Sequence, residues 1–380
     1  MRIFENLNVD FLGKRNFFYV VSASLFLLGF INVIFRGLQF GIDFKGGTEI
    51  VLQFQKPIDI ANIRNDVQNI GLGNLELKTF GSETGVLVRT ELQQIPAAIY
   101  PKVVGNINKA IENILPGIPI KIVDSSSANS VTYAFPNPDT TDLIVDKLFN
   151  AGFQTGKVSE EQNNRQMVVR VGISDWIKSN LRDKIKDNSF TVLREELVGP
   201  KIGSELKQDA VIAIFLSLVV ILIYLAFRFK FIFAFGAVVA LFHDVLITMG
   251  LYAVLYGVIP GLNLEIDLTV VAAFLTLIGY SINDTVIVFD RVREEMKIHK
   301  TTPLKEVMNL GINKTMSRTI LTGGTTLMSV FVLLLFGGEV LRAFAFTLFF
   351  GIIIGTYSSI FVASALVLEY ANRTKKKIQF

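Results

Sequence analysis

The chain contains 380 residues, 51% of them hydrophobic, with a formal net charge of +4 and no cysteine. This composition is typical of a polytopic membrane protein, and the lack of cysteine excludes disulfides, thiolate metal sites and a cysteine nucleophile. The only histidines, His243 and His299, argue against a histidine zinc site. Lys and Arg cluster beside apolar runs, where they indicate topology rather than nucleic-acid binding. We therefore expect no enzyme activity, no metal, no cofactor and no nucleic acid.

Residues 1–16 form a short polar N-terminus, and residues 17–36 form the first predicted transmembrane helix. Its apolar run is longer than that of a cleavable signal peptide, and no small-residue cleavage pattern follows it. Lys14 and Arg15 precede the run directly, so the positive-inside rule puts the N-terminus in the cytoplasm. The next segment, Gly-Ile-Asp-Phe-Lys-Gly-Gly at 41–47, contains a candidate structural motif formed by Asp43, Gly46 and Gly47. The paired glycines permit a tight turn into a strand.

Residues 37–207 contain no apolar run that spans a bilayer, and we interpret them as an extracytoplasmic α+β domain. The sequence repeats itself within this region at a constant offset. The matching pairs include Phe54 with Phe135, Gly71 with Gly152, and Arg89 with Arg170. Each copy, at about 48–123 and about 130–198, reads as strand, helix, strand, strand, helix, strand. This order predicts a duplicated ferredoxin-like unit, with residues 124–130 as the linker.

The boundaries of these elements follow from strand alternation, helix periodicity and Gly or Pro breaks. In the first copy the strands are predicted near 48–55, 75–80, 85–90 and 118–123, and the helices near 58–70 and 95–114. In the second copy the strands are predicted near 130–135, 153–159, 165–171 and 190–198, and the helices near 138–151 and 174–187.

Residues 208–370 contain five further apolar runs, which brings the predicted transmembrane helices to six. They lie near 210–227, 231–256, 268–291, 315–336 and 343–370. The connections at 228–230 and 290–315 and the tail at 371–380 are rich in Lys and Arg, whereas 257–267 and 337–342 are nearly free of them. Both termini are therefore predicted to be cytoplasmic, and the large domain to be periplasmic.

The fourth run, Leu268–Arg291, carries Asn283 and Asp284 well inside an apolar sequence. An Asp at the centre of a transmembrane helix costs about 2.5–3.5 kcal/mol, so a partner charge or a water-lined path is expected. Thr276, Tyr280, Asn283 and Asp284 follow one another at helical spacing, and we predict that this polar stripe faces the other helices. The alternative role for Asp284 is a packing residue with no part in transport.

Arg318 is predicted to open the fifth span, close to Asp284 at the end of the fourth. A carboxyl balanced between burial and a neighbouring guanidinium is able to take up and release a proton, which a proton relay requires. Arg318 alternatively reaches the membrane interface as a snorkelling side chain. His243 and Asp244 in the third span are further relay candidates, or a helix-packing pair. A membrane aspartic-protease dyad of the two Asp residues is disfavoured because the Gly-x-Gly-Asp pattern is absent.

Several segments together resemble the SecF family of protein-export membrane proteins, which belongs to the resistance-nodulation-division superfamily. These segments are 41–47, 198–206, 242–245, 279–291 and 313–319. The resemblance covers essentially the whole chain. It implies a six-helix membrane bundle with an external ferredoxin-like domain of about one unit, so the second copy is expected to be a departure from the family.

The resemblance also implies a function, namely an accessory subunit of the Sec translocase in the cell inner membrane. Such a subunit works with SecD, SecYEG and YajC, and uses the proton gradient to draw unfolded preproteins across the bilayer. Carried over by position, the intramembrane Asp of the fourth span falls on Asp284 and the Arg that opens the fifth span on Arg318. We predict a proton relay of Asp284, Arg318 and Asn283, with Asp244 and His243 as further candidates. Two other classes stay open, a proton-driven exporter of small molecules and a scaffold of the translocon that transports nothing.

Overall fold

The computed structural model describes residues 7–68, 70–73, 75–125, 129–159, 161, 163–185, 187–259 and 262–374. The chain divides into two compact units, one formed by Met1–Phe44 with Glu205–Phe380 and the other by Lys45–Ser204. The predicted N-terminus at 1–16, linker at 124–130 and tail at 371–380 lie partly outside the described residues.

Within the described residues, six helices are long and apolar enough to cross a membrane, as predicted. In chain order the α-helices of the described residues are α1 (Arg15–Arg36), α2 (Ile42–Lys45), α3 (Ile60–Gln68), α4 (Tyr100–Ile114), α5 (Pro138–Asn150), α6 (Ile173–Lys184), α7 (Pro200–Arg228), α8 (Phe231–Leu255), α9 (Leu268–Ile298), α10 (Leu304–Phe336), α11 (Gly338–Ser358) and α12 (Ser364–Thr374). The spans are α1, α7, α8, α9, α10 and a last one in which a π-helical turn at Ser359–Ala363 joins α11 to α12.

The interior of the membrane unit is formed by α8, α9 and α11, whereas α1, α7 and α10 are largely exposed on its surface. Glycines allow the closest helix contacts. A Cβ atom added to Gly29 of α1 would lie 2.8 Å from the Cα of Gly250 on α8. On α11, a Cβ atom at Gly355 would lie 2.9 Å from the side chain of Ser281 on α9. These contacts bring polar groups of α1, α8, α9 and α11 within hydrogen-bonding reach.

The fourth and fifth spans are longer than predicted. Because α9 ends at Ile298 and α10 begins at Leu304, the predicted loop at 290–315 is mostly helical. An ion pair between a buried carboxylate on α9 and a lysine on α10 accounts for the difference. The carboxylate of Glu295 is fully buried and accepts a hydrogen bond of 2.6 Å from Lys314 Nζ. Charged residues that suggested a loop therefore hold two helices together.

The second unit contains two four-stranded antiparallel sheets. Its strands are β1 (Gly47–Phe54), β2 (Glu76–Phe80), β3 (Ser82–Thr90), β4 (Lys121–Asp124), β5 (Ser130–Ala134), β6 (Gln154–Lys157), β7 (Gln166–Arg170) and β8 (Phe190–Val198). These strands and helices α3 to α6 lie close to the predicted boundaries. The sheet orders are β2-β3-β1-β8 and β4-β5-β7-β6.

The sheets do not follow the repeat boundaries predicted at 48–123 and 130–198, because the last strand of each copy pairs with the other copy. β4 pairs with β5, and β8 pairs with β1. The connection between β4 and β5 is short, and strands joined by short connections usually pair with each other. β8 then takes the free edge beside β1. The strands through which the chain enters and leaves this unit consequently lie side by side.

A buried ion network crosses the first sheet. Glu49 on β1 accepts hydrogen bonds from Arg89 Nε on β3 at 2.8 Å and from Arg194 on β8. Arg89 also lies 3.4 Å from Glu76 on β2. The side chains of Glu49 and Arg89 are 1% and 6% exposed. The network therefore ties β8 to the three strands of the first copy by charge as well as by backbone pairing.

We expect Glu49→Ala to lower the free energy of unfolding of this unit by about 3–5 kcal/mol, because it leaves the buried Arg89 without its counter-charge. The sequence contains one tryptophan, Trp176, which is buried in the core of this unit. Its fluorescence during denaturant titration of the full chain in detergent reports the change. Glu83→Ala at the exposed start of β3 is the control, and equal midpoints for the two variants would contradict the prediction.

Candidate functional site

Asp244 lies at the centre of a buried polar cluster in the membrane unit. Its side chain is 1% exposed and projects from the middle of α8. Oδ1 lies 3.0 Å from His243 Nδ1. Oδ2 accepts hydrogen bonds from Ser281 Oγ on α9 at 2.7 Å and from Ser358 Oγ on α11 at 2.8 Å. Three spans thus supply the groups that hold this carboxyl.

The cluster continues from His243 to the first span. His243 Nε2 lies 3.0 Å from Ser22 Oγ on α1, and Ser22 Oγ lies 2.7 Å from the hydroxyl of Tyr357 on α11. The Tyr357 hydroxyl donates to the backbone carbonyl of Phe18 at 2.7 Å. An unbroken series of hydrogen bonds therefore connects Asp244 to α1.

The direction of this series follows from its last bond. Because Tyr357 has one hydroxyl proton and donates it to Phe18, its oxygen accepts from Ser22, and Ser22 accepts from His243 Nε2–H. One proton must then lie between His243 Nδ1 and Asp244, on one atom or the other. The pair is neutral overall in either case, which suits its buried position. Loss of that proton would require the His243–Ser22 and Ser22–Tyr357 bonds to reverse, and Tyr357 would then lose its bond to the Phe18 carbonyl, which can only accept.

The order Asp244, His243, Ser22 is that of a hydrolase triad, but the surroundings do not suit acyl transfer. Ser22 lies in the middle of α1, where backbone N–H groups donate within the helix. They are not free to form an oxyanion hole, on which such chemistry depends. The arrangement is suited to holding and moving a proton.

Asp284 is another buried carboxyl of the membrane unit, with 2% exposure. Its Oδ2 accepts a hydrogen bond of 3.3 Å from Thr356 Oγ1 on α11. Thr356, Tyr357 and Ser358 are consecutive, and they contact Asp284, Ser22 and Asp244 respectively. Among the described contacts, the two Asp carboxyls do not bond to each other, so they do not form a proton-sharing dyad.

The π-helical turn at Ser359–Ala363 directly follows these three residues of α11. Ser364 Oγ donates to the carbonyl of Ser359 at 2.9 Å, and Ser359 Oγ donates to that of Thr356 at 2.9 Å. Such turns insert one residue into a helix and are frequent at functional sites. Here the turn lies beside the contacts to both carboxyls, where a local change of helix register would alter them together.

The predicted inward stripe on α9 is only partly correct. Asp284 is buried and Tyr280 is half-buried, but Thr276 and Asn283 are exposed on this chain. Consecutive helical residues point about 100° apart, so Asn283 and Asp284 cannot both face the interior. Asn283 aligns instead with Thr276 along the outer surface of the membrane unit.

Arg318 lies midway along α10 and does not open it, contrary to the prediction, because the helix begins at Leu304. Its side chain is exposed. Among the described residues it has no ion pair within 4.0 Å, and its charge acts on Asp284 only at longer range. The candidate motif Asp43, Gly46 and Gly47 is not part of the buried cluster.

Comparison with known proteins agrees with this architecture. A family model for the protein export membrane protein SecD/SecF C-terminal region matches residues 177–373, and one for the SecD/SecF GG motif matches residues 32–58. Six apolar spans, a domain inserted after the first span and these two matches define a multi-pass inner membrane protein of the SecD/SecF class.

Curated relatives identify the subunit. The chain is 39% identical to the protein translocase subunit SecF of Rhodothermus marinus, with 98% of this chain and 96% of the relative covered. It is 36% identical to that of Calditerrivibrio nitroreducens, with 97% and 96% covered. The chain belongs to the SecF family. Because these relatives match along nearly their whole length, the size of the inserted domain is shared with them and is not a departure from the family.

A solved structure has a similar fold. The translocon-associated membrane protein SecDF from Thermus thermophilus is 28% identical, with a TM-score of 0.65 over 97% of this chain. SecDF in its super-membrane-facing form is 29% identical, with a TM-score of 0.57. This chain covers 39% and 40% of those two chains, which is about two-fifths of SecDF.

Proposed function

We propose that this chain is the SecF subunit of a proton-driven accessory complex of the Sec translocase. The observation that carries the proposal is the pair of buried aspartates, Asp244 and Asp284, inside two mainly apolar spans. Ionisable residues inside membrane spans are costly and usually functional. Hydrogen-bond partners from neighbouring spans, together with the π-helical turn beside them, give these carboxyls a means of changing helix contacts when they gain or lose a proton.

The proposed proton path uses Asp284 and the Asp244–His243 pair as its titrating groups. Thr356 and Ser358 on α11 contact the two carboxyls, so a proton gained by either alters the same helix. Arg318 and Asn283 lie on the outer surface beside Asp284 and contribute through a partner subunit. His243, Asp244 and Asp284 therefore act inside the chain, and Arg318 and Asn283 act at its outer surface.

SecD is the partner that we propose for this outer surface. The polar side chains that α10 exposes follow one another at helical spacing, namely Arg318, Thr322, Thr325 and Ser329. The three hydroxyls already donate to carbonyls of their own helix, so they tolerate lipid. Arg318 does not have such a partner among the described residues, and a charged group in that position favours a protein neighbour over lipid.

The topology proposed from the charge bias puts both termini in the cytoplasm and the domain at 45–204 in the periplasm. There the domain would hold unfolded preprotein, together with SecYEG and YajC at the channel. β4 is an edge strand whose residues are all exposed, including Ile122 and Val123. Unpaired edge strands bind extended peptides by strand addition. Apolar side chains on such an edge favour unfolded chain as the ligand.

The proposal is tested by export of a slowly translocating reporter preprotein from spheroplasts at constant ATP, with and without the proton gradient. We expect the gradient to speed late export in cells that contain this chain and SecD, and to have little effect in cells depleted of this chain. The same gradient dependence in depleted cells would refute the proposal. Sensitivity of depleted cells to small toxic compounds with normal export would favour the exporter class instead.

A further inference from the structure

The segment that follows α1 is attached to the segment that precedes α9. Ile266 N donates to the carbonyl of Gln39 at 2.8 Å, and Gly41 N donates to the carbonyl of Ile266 at 2.8 Å. These bonds form a parallel bridge between Phe40 and Ile266. We call residues 38–44 the entry segment, because it leads from α1 towards β1.

Asp43 adds a bond from the entry segment to α9 itself. Its Oδ2 accepts from the backbone N–H of Leu268, the first residue of α9, at 2.9 Å. The helix has a second acidic cap from the residue directly before it, since Asp267 Oδ1 accepts from Val270 N at 2.8 Å. A carboxylate near a helix N-terminus is favourable, and the local Asp267 already provides one. What Asp43 adds is a link between two distant parts of the chain.

Packing prevents the entry segment from sliding along α9. Ile42 and Phe44 are 3% and 7% exposed, and Phe44 belongs to the same apolar cluster as Ile266 and Val270. A Cβ atom added to Gly41 would lie 3.1 Å from the Cβ of Asp267. The segment is thus fixed against α9 by backbone bonds, a side-chain cap and apolar contacts.

The two glycines that follow Asp43 lie where the entry segment connects to β1. Gly46 and Gly47 have φ angles of +73° and +116°, which L side chains rarely adopt. A Cβ atom at Gly47 would lie 2.2 Å from the carbonyl oxygen of Thr90, across the β1–β3 ladder. From Asp43 to Gly47 the chain reaches at most about 14 Å. If the entry segment moves farther than the residues between Asp43 and Gly47 can extend, β1 must therefore move with it.

We propose that Asp43 is a positioning residue that makes α9 and the entry segment move as one body. Displacement of the helix that carries Asp284 then reaches β1, and through its pairing with β8 it reaches both strands by which the chain enters and leaves the extramembrane unit. This inference rests on the proposed function, because it assigns the route by which proton uptake acts on the preprotein-binding domain.

The first test compares Asp43→Ala with Asp267→Ala in the gradient-dependent export measurement, at equal membrane levels. Each variant removes one carboxylate cap from α9, and Asp43→Ala removes with it the bond that joins α9 to the entry segment. We expect gradient-dependent export to fall at least fivefold for Asp43→Ala and less than twofold for Asp267→Ala. Asp43→Asn retains an acceptor oxygen and should keep most of the activity. Normal export by Asp43→Ala, or equal loss in both alanine variants, would overturn the inference.

A disulfide provides the second test, because the natural chain has no cysteine. Phe40→Cys with Ile266→Cys places two thiols at a bridge pair, where Cα separations suit a disulfide, on the side of the membrane proposed to be oxidising. We expect the oxidised pair to leave export unchanged in the otherwise natural chain and to restore it in Asp43→Ala, and reductant to remove the rescue. Block of export by the oxidised pair would show that the two segments must separate, and would overturn the inference.

Asp284→Asn separates failure of this inference from failure of the proposed function. If Asp284→Asn exports normally, the proton-driven function fails whatever Asp43 does. If Asp284→Asn abolishes gradient-dependent export while Asp43→Ala is normal, only the coupling role of Asp43 fails.

Discussion

Asp284→Asn is expected to abolish the part of preprotein export that depends on the proton gradient, while the protein still folds and assembles with SecD. The amide has the shape of the carboxyl and can still accept from Thr356, but it cannot bind or release a proton. One charge that crosses the membrane field contributes about 2.3 kcal/mol per 100 mV, which is about a fiftyfold bias of a conformational equilibrium. The gradient-dependent part of export should therefore fall by up to about fiftyfold per 100 mV of membrane potential.

The matched control is Glu294→Gln, the same chemical change on the same helix at a side chain that is 61% exposed. It should export normally, and Asp284→Glu, which keeps an ionisable group, should keep part of the activity. Reporter secretion at normal membrane levels, with co-purification of SecD as the assembly check, gives the result. Unimpaired export by Asp284→Asn would make Asp284 a packing residue and this chain a scaffold. Normal secretion with new drug sensitivity would indicate an exporter.

Hydropathy and periodicity were sufficient to predict the architecture in outline. All six spans were predicted, and the strands and helices between residues 47 and 198 lie close to their predicted boundaries, because long apolar runs and strand alternation depend on local sequence. The limits of α9 and α10 were wrong, since a buried Glu295 paired with Lys314 looks like a charged loop when the two residues are read apart. The pairing of β4 with β5 and of β8 with β1, across the two copies, was also missed. The sequence of a strand does not specify its neighbour, which depends on the length of the connections between strands.

Of the site, the ionisable residues were predictable and their partners were not. Asp244 and Asp284 are conspicuous in apolar runs, whereas Ser22 and Tyr357 are isolated hydroxyl groups of the kind common in membrane helices. Their importance appears only when α1, α8 and α11 are brought together. The outward position of Asn283 was missed because the predicted stripe grouped two adjacent residues on one face.

The segment around residue 313 resembled the family motif but had no predicted role, and the structure gives it one. Asn313 Oδ1 accepts from Val9 N at 3.0 Å, and its amide donates to the carbonyl of Val9 at 2.9 Å. Nearby, a hydrogen bond from Lys305 holds the pKa of Asp10 below its usual value. These bonds fasten the N-terminal segment to α10. A polar motif can thus be explained by contacts to residues some three hundred positions away, which no local pattern indicates.

Asp244→Asn is expected to stop gradient-dependent export as completely as Asp284→Asn, and with no loss of stability. The reason is the direction of the hydrogen bonds. In the natural chain His243 donates through Nε2, so Nδ1 and Asp244 share one proton. An asparagine can donate its amide N–H to His243 Nδ1 and accept from Ser281 and Ser358 with its oxygen. It therefore reproduces every bond of the proton-bearing pair and cannot release the proton.

Asp244→Ala is the informative contrast, because it removes the acceptor and leaves Ser281 and His243 without this partner, whereas Ser358 keeps its bond to the carbonyl of Gly355. Each buried polar group left unpaired costs about 1–3 kcal/mol, so this variant should be destabilised as well as inactive. Asp244→Asn, in contrast, should have the same melting temperature in detergent as the natural chain. If the pair served only helix packing, Asp244→Asn would export normally, since its packing is intact. If Asp244→Asn instead loses export and melts at an unchanged temperature, the proton between Asp244 and His243 must leave during the transport cycle. The hydrogen bonds from His243 to Ser22 and from Ser22 to Tyr357 would then change direction.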